Sequence, residues 1–443
     1  MTKTEYQYTP AYLYHKEFLD LASKSPKTIK IALERGENEI KVATLTIFKN
    51  NMQENLRYVE RYIKTMLWCY GGYKIYLQGD EALLEKLKEI YSPTGDRAFD
   101  YNFMKSVYLT DAITFVAIDN PREFPEECNK PIVASKQTNG RRIGFDAGGS
   151  DRKVTALVDG NVIFERETIW NPKLQSNIAY HISGIKDDIN AAILKLDGLF
   201  DSIGISTAGI VIDGELRISS LFKNIPADDV KKHGYKIYQS LAYEYGKPVK
   251  VANDGDAAAL AGAFESGNGR LLGIAMGTSL AGGYVDKDSN ILGYLNELAF
   301  IPVDFSELAP RDEWSGDKGC GVMYHSQDAA IRLAEDMGIS LPSLKTPAEK
   351  LRIIKDLADK GNDKALKVYE QLGKFFGYTI LWLREFYDIE FVMFLGRVAS
   401  GKGGDLIRSE AQQLLIKEGS SIQIISPSEN AKRLGQSYAA ALF

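Results

Sequence analysis

An apolar strand that runs into an aspartate and two glycines constrains the fold of this chain more than any other segment. It reads Arg-Arg-Ile-Gly-Phe-Asp-Ala-Gly-Gly-Ser-Asp-Arg-Lys from Arg141 to Lys153. The pattern predicts a strand, a tight turn and a second strand. Gly148 and Gly149 lack a Cβ, so backbone N–H groups of the turn can approach an anionic oxygen closely. Taken alone, the segment is equally typical of a structural hairpin.

The polar residues around this turn suit the phosphates of a nucleotide. Asp146 would end the first strand, where its carboxylate can hold a magnesium ion through water. Ser150 offers a hydroxyl, and Lys153 offers a point charge to the phosphates. We therefore predict a phosphate-binding hairpin with Asp146 as the metal-binding carboxylate.

Composition limits the class of protein. The length of 443 residues predicts two or three domains, and 44% hydrophobic with 26% charged residues is typical of soluble globular proteins. A net charge of −5 provides no basic field for nucleic acid, so we expect no nucleic-acid partner. No apolar run is long enough to span a membrane, and the N-terminus lacks a signal-peptide core. The three scattered cysteines suit a reducing compartment, so we expect a cytoplasmic protein.

The first 140 residues are predicted to form a separate α/β domain without a motif that indicates chemistry. Its predicted elements are the strands Ile29–Leu33 and Ile40–Phe48, a helix over Leu56–Leu67, the strand Tyr73–Leu77, the helix Glu81–Ile90 and the strand Ile113–Asp119. Prolines and polar residues from Pro121 to Asn139 predict a linker. This domain either resembles one of the later lobes, whose strand order it loosely echoes, or offers an aromatic surface for a homodimer.

After the linker the pattern predicts two similar α/β lobes with a cleft between them. The predicted elements are the strands 142–146, 154–158 and 162–168, the helix 177–196, the strand 202–206, the helix 235–245, the strand 249–251, the helix 257–265, the strands 271–275 and 283–285, the helices 326–337, 347–360 and 364–387, the strands 391–395 and 422–425, and the helix 431–443. One lobe would comprise residues 141–262 with the terminal helix 431–443, and the other residues 263–430.

Two further glycine-rich turns follow predicted strands. Gly277, Thr278 and Ser279 begin a run of small and hydroxyl residues that can hold a β- or γ-phosphate. Gly396 and Arg397, followed by glycines at 401, 403 and 404, suit an adenosine. Each turn alone is typical of structure. Three of them in separate strand–turn contexts favour a split nucleotide site that binds ATP with Mg²⁺.

Four segments together resemble the ROK family of sugar kinases and repressors, within the actin/hexokinase-like ATPase superfamily. They are Asp146–Lys153, Gly204-Ile-Ser-Thr-Ala-Gly209, Val251-Ala-Asn-Asp-Gly-Asp-Ala-Ala-Ala-Leu-Ala-Gly262 and Met276-Gly-Thr-Ser-Leu-Ala-Gly-Gly283. The resemblance covers about residues 140–443. It implies a two-lobed actin-like (ribonuclease H-like) α/β fold, with the N-terminal α/β domain in addition.

The resemblance also implies a role for the Asn-Asp pair at 253 and 254. Asp254 would act as general base on the sugar hydroxyl that attacks the γ-phosphate, and Asn253 would hydrogen-bond the sugar. Ser206 and Thr207 are expected beside the same substrate. The alternative is that Asn253 and Asp254 only cap the helix that follows.

The sugar-binding part departs from the family pattern. Glu297 matches the family's sugar-binding glutamate, but Phe300 stands where a histidine that serves sugar and zinc is expected. In the family's zinc loop, Cys320 is the one cysteine kept, and Val322 replaces a second glutamate. One thiolate cannot hold a tetrahedral zinc ion, so we predict no structural zinc. His325 is a possible replacement contact, although the pattern favours a capping or solvated histidine.

Three functions follow from these patterns. The first is an ATP- and Mg²⁺-dependent kinase that phosphorylates a hydroxyl of a sugar or sugar derivative. The second is a catalytically silent regulator of the same fold that senses sugar or nucleotide. The third is an ATPase that acts on a partner protein through the N-terminal domain. The complete set of phosphate turns together with Asp254 favours the kinase.

Overall fold

The computed structural model describes residues 8–134, 139–427 and 429–443. Contacts divide the chain into two compact units. The first unit comprises the described residues up to Asn129, Ile274–Gly282 and Leu295–Ser426, and the second comprises Lys130–Gly273, Gly283–Tyr294 and Pro427–Phe443. The predicted division near residues 140 and 262 stays a prediction. Residues 1–7 of the predicted leaderless N-terminus and 135–138 of the predicted linker lie outside the described residues.

The N-terminal part of the first unit contains every predicted element and two unpredicted helices. Its elements are α1 (Ala11–Ala22), β1 (Pro26–Gly36), β2 (Glu39–Phe48), α2 (Met52–Tyr70), β3 (Lys74–Gln78), α3 (Glu81–Ile90), α4 (Ala98–Tyr108) and β4 (Thr114–Ala117). The sequence did not reveal α1 and α4, because Pro10 and Arg97 at their N-termini make no capping hydrogen bond and aromatic residues blur their helical period.

The next stretch forms the main sheet of the second unit. Its elements are β5 (Arg141–Ala147), β6 (Asp151–Val158), β7 (Asn161–Ile169), α5 (Ile178–Lys195), β8 (Ser202–Thr207), β9 (Ile210–Ile212), β10 (Glu215–Ile218), α6 (Ala227–Asp229), α7 (Gln239–Tyr245), β11 (Val249–Asn253) and α8 (Asp254–Ser266). The predicted meander of three strands is confirmed, and α8 begins at Asp254 as the sequence indicated.

The remaining elements are β12 (Leu271–Met276), β13 (Leu280–Val285), α9 (Gln327–Asp336), α10 (Pro347–Asp359), α11 (Asp363–Leu383), β14 (Phe391–Leu395), α12 (Gly401–Lys417), β15 (Gln423–Ile425) and α13 (Glu429–Ala441). The capping box at Thr346 and Glu349, predicted at the start of α10, is confirmed. Helix α12 was not predicted, because glycines fill its first turn. They allow close contact there: a Cβ on Gly403 would lie 2.5 Å from the Tyr369 ring.

Four sheets organise these elements in the described residues, and the smallest pairs β9 with β10. The N-terminal sheet has the order β2-β1-β3-β4, and a second four-stranded sheet has the order β13-β12-β14-β15. The sheet of the second unit has the order β11-β8-β5-β6-β7. Its strands β5, β8 and β11 are parallel, whereas β6 and β7 are antiparallel to their neighbours. The carboxyl ends of three neighbouring parallel strands therefore meet at one edge.

Two glycines in this sheet bring α13 against it. Gly144 on β5 and Gly204 on β8 are register partners. A Cβ on Gly144 would lie 1.8 Å from the carbonyl oxygen of Ser437, and one on Gly204 would lie 1.7 Å from that of Ala440. The helix backbone thus packs directly on the two strands, and any larger side chain would separate them.

No helix in residues 8–134, 139–427 and 429–443 combines the length and apolar character that crossing a bilayer requires.

Candidate functional site

The carboxyl edge of the parallel strands in the second unit collects the polar residues that the sequence singled out. Asp146 is the penultimate residue of β5, and Ser206 and Thr207 end β8. Asn253 ends β11, and Asp254 begins α8 directly afterwards. Ligands of open α/β sheets bind outside the carboxyl ends of the strands. Residues separated by more than a hundred positions therefore share one candidate site.

Asp146 has a strongly perturbed carboxyl group at this edge. Its side chain is 6% exposed, and its Oδ1 accepts a 2.6 Å hydrogen bond from Ser206 Oγ. Burial raises its pKa from the ordinary 3.8 to about 7, against the lowering effect of the Ser206 hydrogen bond. The negative charge of Asp254 raises it further, and the ammonium of Lys153 lowers it. Asp146 therefore changes its charge near neutral pH.

Lys153 lies opposite Asp146 as its register partner on β6. Its Nζ lies 3.4 Å from a carboxylate oxygen of Asp151 and 3.9 Å from one of Glu167. The predicted phosphate contact of Lys153 stays a prediction, since its ammonium already pairs with two carboxylates.

Asn253 and Asp254 occupy the N-terminus of α8. Asn253 caps the helix, because its Oδ1 accepts a 2.7 Å hydrogen bond from Gly255 N, while its Nδ2 donates to Gly209 O at 2.7 Å. Asp254 is half-buried, and burial raises its pKa, although hydrogen bonds from the helix N-terminus and Asn253 oppose this effect. Capping by Asn253 does not compete with a catalytic role for Asp254, whose own carboxylate is the candidate base.

Ser206 and Thr207 are fully buried. The Ser206 hydroxyl is engaged by Asp146, and Thr207 Oγ1 lies 2.8 Å from the hydroxyl of Tyr238. Both residues thus support the strand edge from within. Their predicted contact with a substrate stays a prediction.

Trp170 holds the glycine turn between β5 and β6 with two hydrogen bonds. This buried side chain donates from Nε1 to Gly148 O at 2.9 Å, and its backbone N–H donates to Ser150 O at 3.0 Å. Gly149 and Ser150 are exposed. Trp170 therefore holds two carbonyls of the turn on the protein side, which favours presentation of N–H groups on the open side.

Lys173 is a second cation at this turn that sequence reasoning missed. A Cβ on Gly149 would lie 3.4 Å from Lys173 Nζ. Lys173 is exposed and sits in a short helical turn, Pro172–Leu174, after β7. The Asn-Pro-Lys sequence has no pattern that indicates phosphate binding. The position of Lys173 next to the glycine turn is therefore visible only in the structure.

In the first unit the structure brings the other two glycine-rich turns together. Thr278 and Ser279 are exposed beyond β12, and the turn is closed by a 2.9 Å hydrogen bond from Gly277 N to Ser279 O. Gly396 has φ +99°, and a Cβ there would lie 2.2 Å from Met276 O. Arg397, next to it, is exposed.

These contacts explain why glycine stands at position 396. Val398 N donates to Met276 O at 3.2 Å, so the chain after β14 lies directly against the end of β12. Only a residue without Cβ can adopt this backbone conformation at this distance. Gln327 N at the start of α9 donates to Gly277 O at 2.8 Å, which fixes the turn from the other side.

Glu297 lies in a segment that is bonded to the C-terminus of α2. The N–H groups of Leu295, Asn296 and Glu297 donate to three carbonyls of the last turn of α2, those of Tyr70, Cys69 and Trp68, at 3.2, 2.9 and 3.0 Å. Phe300, where the resemblance implies a histidine, is buried in an aromatic cluster and lies 4.3 Å from the Trp68 ring between centroids. The phenyl ring serves packing.

Residues 316–322 match the loop in which the family resemblance places zinc ligands. Cys320 is buried, which raises the pKa of its thiol to about 12. Among the described residues no group of three or more His, Cys, Asp or Glu side chains is arranged to hold a metal ion. The absence of a structural zinc stays a prediction.

The expectation that His325 is solvated or caps a helix is wrong. The side chain is buried, and its Nε2 lies 2.7 Å from Thr379 Oγ1. Burial lowers the pKa of His325 to about 3, so the ring is neutral at physiological pH. Ser326 caps α9 instead, with its side chain accepting from Ala329 N.

The donors of the second unit fit a magnesium ion that arrives with phosphates. Magnesium commonly takes one or two carboxylates and completes its shell with water and phosphate oxygens. Asp146 would supply such a carboxylate beside the glycine turn Gly148–Ser150. A dedicated protein cage is not needed for this mode of binding.

A sequence model of the ROK family matches residues 142–443. The chain belongs to the ROK family. The match begins at β5 and includes both glycine-flanked hairpins and α13, whereas the N-terminal α/β part lies outside it. The α/β fold class implied by the resemblance is confirmed.

Solved ROK structures share this fold. A ROK hexokinase from Thermus thermophilus is 20% identical, with a TM-score of 0.54 over 68% of this chain and 97% of that one. A ROK transcriptional regulator, described as a homologue of the Escherichia coli MLC protein, is 17% identical, with a TM-score of 0.52 over 68% and 77%. A ROK family protein from Streptococcus pneumoniae in complex with sucrose is 15% identical, with a TM-score of 0.51 over 68% and 96%. Kinases and regulators thus both have this fold.

Proposed function

We propose that this ROK protein transfers the γ-phosphoryl group of ATP, with Mg²⁺, to a hydroxyl of a sugar or sugar derivative. The observation that carries the proposal is the convergence of Asp146 and Asp254 at one edge of a parallel sheet, beside the exposed glycine turn Gly148–Ser150. A regulator that only senses ligand does not need two carboxylates with raised pKa values at this position.

Asp254 is the proposed general base. The pKa of Asp254 is raised above the ordinary value of a carboxyl group and thus lies closer to neutral pH. A general base works best when its pKa is near the operating pH, because it is then ionised and still accepts a proton effectively. Phosphoryl transfer asks the protein mainly to hold the acceptor oxygen in line and to remove its proton. The hydrogen bonds from Asn253 and the helix N-terminus orient the carboxylate for this step.

Asp146 is the proposed metal-binding carboxylate. Mg²⁺ bound with the nucleotide would neutralise charge that develops on the phosphate oxygens. The chain contributes a carboxylate that Ser206 holds in place at 2.6 Å. Because its pKa is about 7, we expect Asp146 to require deprotonation before productive binding.

The phosphates are proposed to contact the turn Gly148–Ser150, with Lys173 as the nearer cation and Lys153 as a second. In the first unit, the exposed hydroxyls of Thr278 and Ser279 are the proposed partners of the terminal phosphates. Gly396 and Arg397 are the proposed adenosine contacts. Glu297 is proposed to bind the acceptor, whose recognition does not depend on a histidine at position 300.

The decisive experiment measures acceptor-dependent ADP release across a panel of sugars, amino sugars and sugar acids. Wild-type protein should release ADP with at least one acceptor, and Asp254→Asn should reduce the rate by roughly 100- to 10,000-fold because the base is lost. Glu265→Gln removes an exposed carboxylate at the other end of α8 and should retain the activity. Full activity in Asp254→Asn would refute the assignment of the base.

A sugar-sensing regulator is the second candidate, favoured by the burial of Phe300 in an aromatic cluster where the family places a sugar-binding histidine. It predicts that calorimetry detects binding of a sugar while no phosphate is transferred. ADP release that depends on the same sugar would exclude it.

A further inference from the structure

Helix α2 presents one face to two segments of the proposed acceptor half-site. Arg61, Lys64 and Trp68 occur at positions i, i+3 and i+7 and therefore share this face. Lys64 is buried, and Trp68 is buried as well. A fully buried lysine requires charged partners, so its contacts indicate what the helix holds.

The partner of this face is Asp317, in the loop from Arg311 to Cys320. Lys64 Nζ lies 2.7 Å from Asp317 Oδ2. Arg61 binds the same carboxylate with both terminal nitrogens, at 2.9 and 3.1 Å. Arg97 Nη1, from the start of α4, lies 2.6 Å from Asp317 Oδ1. Three cations from the N-terminal part of the chain thus hold one loop carboxylate.

Two further carboxylates balance this charge. Glu60 lies 3.0 Å from Arg61 and 2.5 Å from Arg97, and Asp100 lies 3.2 Å from Lys64. Burial acts to raise the pKa of Asp317, but Lys64 and Arg61 outweigh it and hold this pKa below its ordinary value. The network therefore has three cations and three anions, all buried or nearly buried.

The loop around Asp317 is bonded in turn to the segment that follows Glu297. Val303 N donates to Gly319 O at 2.8 Å, and Gly321 N donates to Ile301 O at 2.9 Å. Gly319 has φ +70°, and a Cβ there would lie 2.0 Å from Asp304 O. A displacement of Asp317 would therefore be transmitted to residues 301–304.

The other end of the same segment is held by the helix terminus. Carbonyls of the last turn of α2 accept the N–H groups of residues 295–297, and the Trp68 ring packs against Phe300. Residues 295–304 are thus fixed to α2 at both ends, by ion pairs and by main-chain hydrogen bonds. Glu297 lies between these two attachments.

We propose that the Arg61–Lys64–Trp68 face of α2 is the scaffold that positions Glu297, and that Arg61, Lys64 and Asp317 are positioning residues for acceptor binding. The scaffold gives an N-terminal segment outside the family match a role in substrate selection. It rests on the proposed function for its effect on the acceptor, but the immobilisation of residues 295–297 can be tested without turnover. Through buried ion pairs with Asp317, the same face of α2 also holds the loop in which the family pattern has zinc ligands.

The first test compares Asp317→Asn with wild type in steady-state kinetics and hydrogen exchange. We expect the KM for the acceptor to rise roughly ten-fold or more, with kcat and the KM for ATP changed less than about three-fold, because loss of positioning weakens acceptor binding. Amides 295–297 should exchange roughly ten-fold faster, because the segment that carries them is then held to α2 at one end only.

A matched control separates positioning from general destabilisation. Arg35→Met removes a buried ion pair with Glu39 in the β1–β2 hairpin, on elements other than the Arg61–Lys64–Trp68 face of α2. It should lower the melting temperature without changing the KM for the acceptor. If Asp317→Asn lowers the melting temperature and leaves both the KM and the exchange at 295–297 unchanged, the scaffold is refuted.

A second pair of variants covers the case in which Asp317→Asn does not fold. Arg61 has the least buried side chain of the network, at 14% exposed, so Arg61→Met should fold and raise the KM for the acceptor, while Arg61→Lys should restore part of the loss. Equal kinetics of the two variants and wild type would overturn the proposal. If wild type transfers no phosphate to any acceptor, the proposed function fails, and hydrogen exchange at 295–297 alone then decides whether the scaffold stands.

Discussion

Ser206 Oγ donates a hydrogen bond of 2.6 Å to Asp146 Oδ1, between register partners on two neighbouring parallel strands. Both side chains are buried, so the Ser206 hydroxyl is the neutral hydrogen-bond partner of a buried carboxyl group. The bond favours the ionised form of Asp146, whereas burial favours the protonated form. This balance brings the pKa of Asp146 to about 7 and determines the pH dependence of the proposed reaction.

Replacing Ser206 by alanine should shift that balance. Without the hydrogen bond the pKa of Asp146 should rise above about 7, and the acidic limb of the pH profile of kcat/KM should move up by about one pH unit. Thr207→Val is the control, because its hydroxyl contacts Tyr238 instead of Asp146. An acidic limb at the same pH in Ser206→Ala and wild type would contradict the assignment.

Asp146→Asn should change the pH dependence of stability. Asp146 has a pKa of about 7 when folded and 3.8 ordinarily, so between these values the folded state binds a proton that the unfolded state does not. Its contribution to stability is therefore greatest at low pH and falls as pH rises from about 4 to about 7. We expect Asp146→Asn to be more stable than wild type at pH 8 by on the order of 2 kcal/mol, with little difference at pH 4.

Urea unfolding of both proteins without nucleotide, at several pH values, measures this difference. The comparison isolates Asp146, because the other titrating groups are common to both proteins. A difference in unfolding free energy that does not vary with pH would show that the carboxyl group has an ordinary pKa.

Lys173→Met should weaken nucleotide binding more than Lys153→Met. Lys173 Nζ lies over the glycine turn, whereas Lys153 is paired with Asp151 and Glu167. We expect the KM for ATP to rise by about five-fold in Lys173→Met, because one phosphate contact is lost. Lys232→Met, an exposed lysine elsewhere in the second unit, serves as control. A larger effect for Lys153→Met would reverse the ranking.

Gly144→Ala should destabilise the protein by more than about 2 kcal/mol, because its Cβ would overlap the backbone of α13 and force the helix from the sheet. Gly273→Ala is the matched control: its nearest neighbour, Ala259 Cβ, would lie at an ordinary 3.4 Å. Chemical denaturation of the two variants measures the difference. Equal stability would mean that α13 does not pack on β5 as described.

Local sequence patterns predicted the elements around the phosphate turn, because their information is contained within a few residues. Alternating apolar residues marked β5 to β7, Asn253 marked the start of α8, and the capping box marked α10. Helices without a capping side chain, such as α1 and α4, were missed for the same reason. The family resemblance added the two-lobed fold and the proposed role of Asp254, which the four motifs imply only when they are taken together.

The amino-acid sequence by itself determined the main strands, the glycine turns and the carboxylates at the strand ends, since each depends on local backbone preference and hydrophobic period. Only the tertiary structure decided the surroundings of these groups. Arg61 and Asp317 are 256 residues apart in sequence, and Lys173 reaches the turn through the return of the chain. Such pairings depend on which surfaces the folded chain buries together, because a buried charge is stable only beside a partner that folding brings to it.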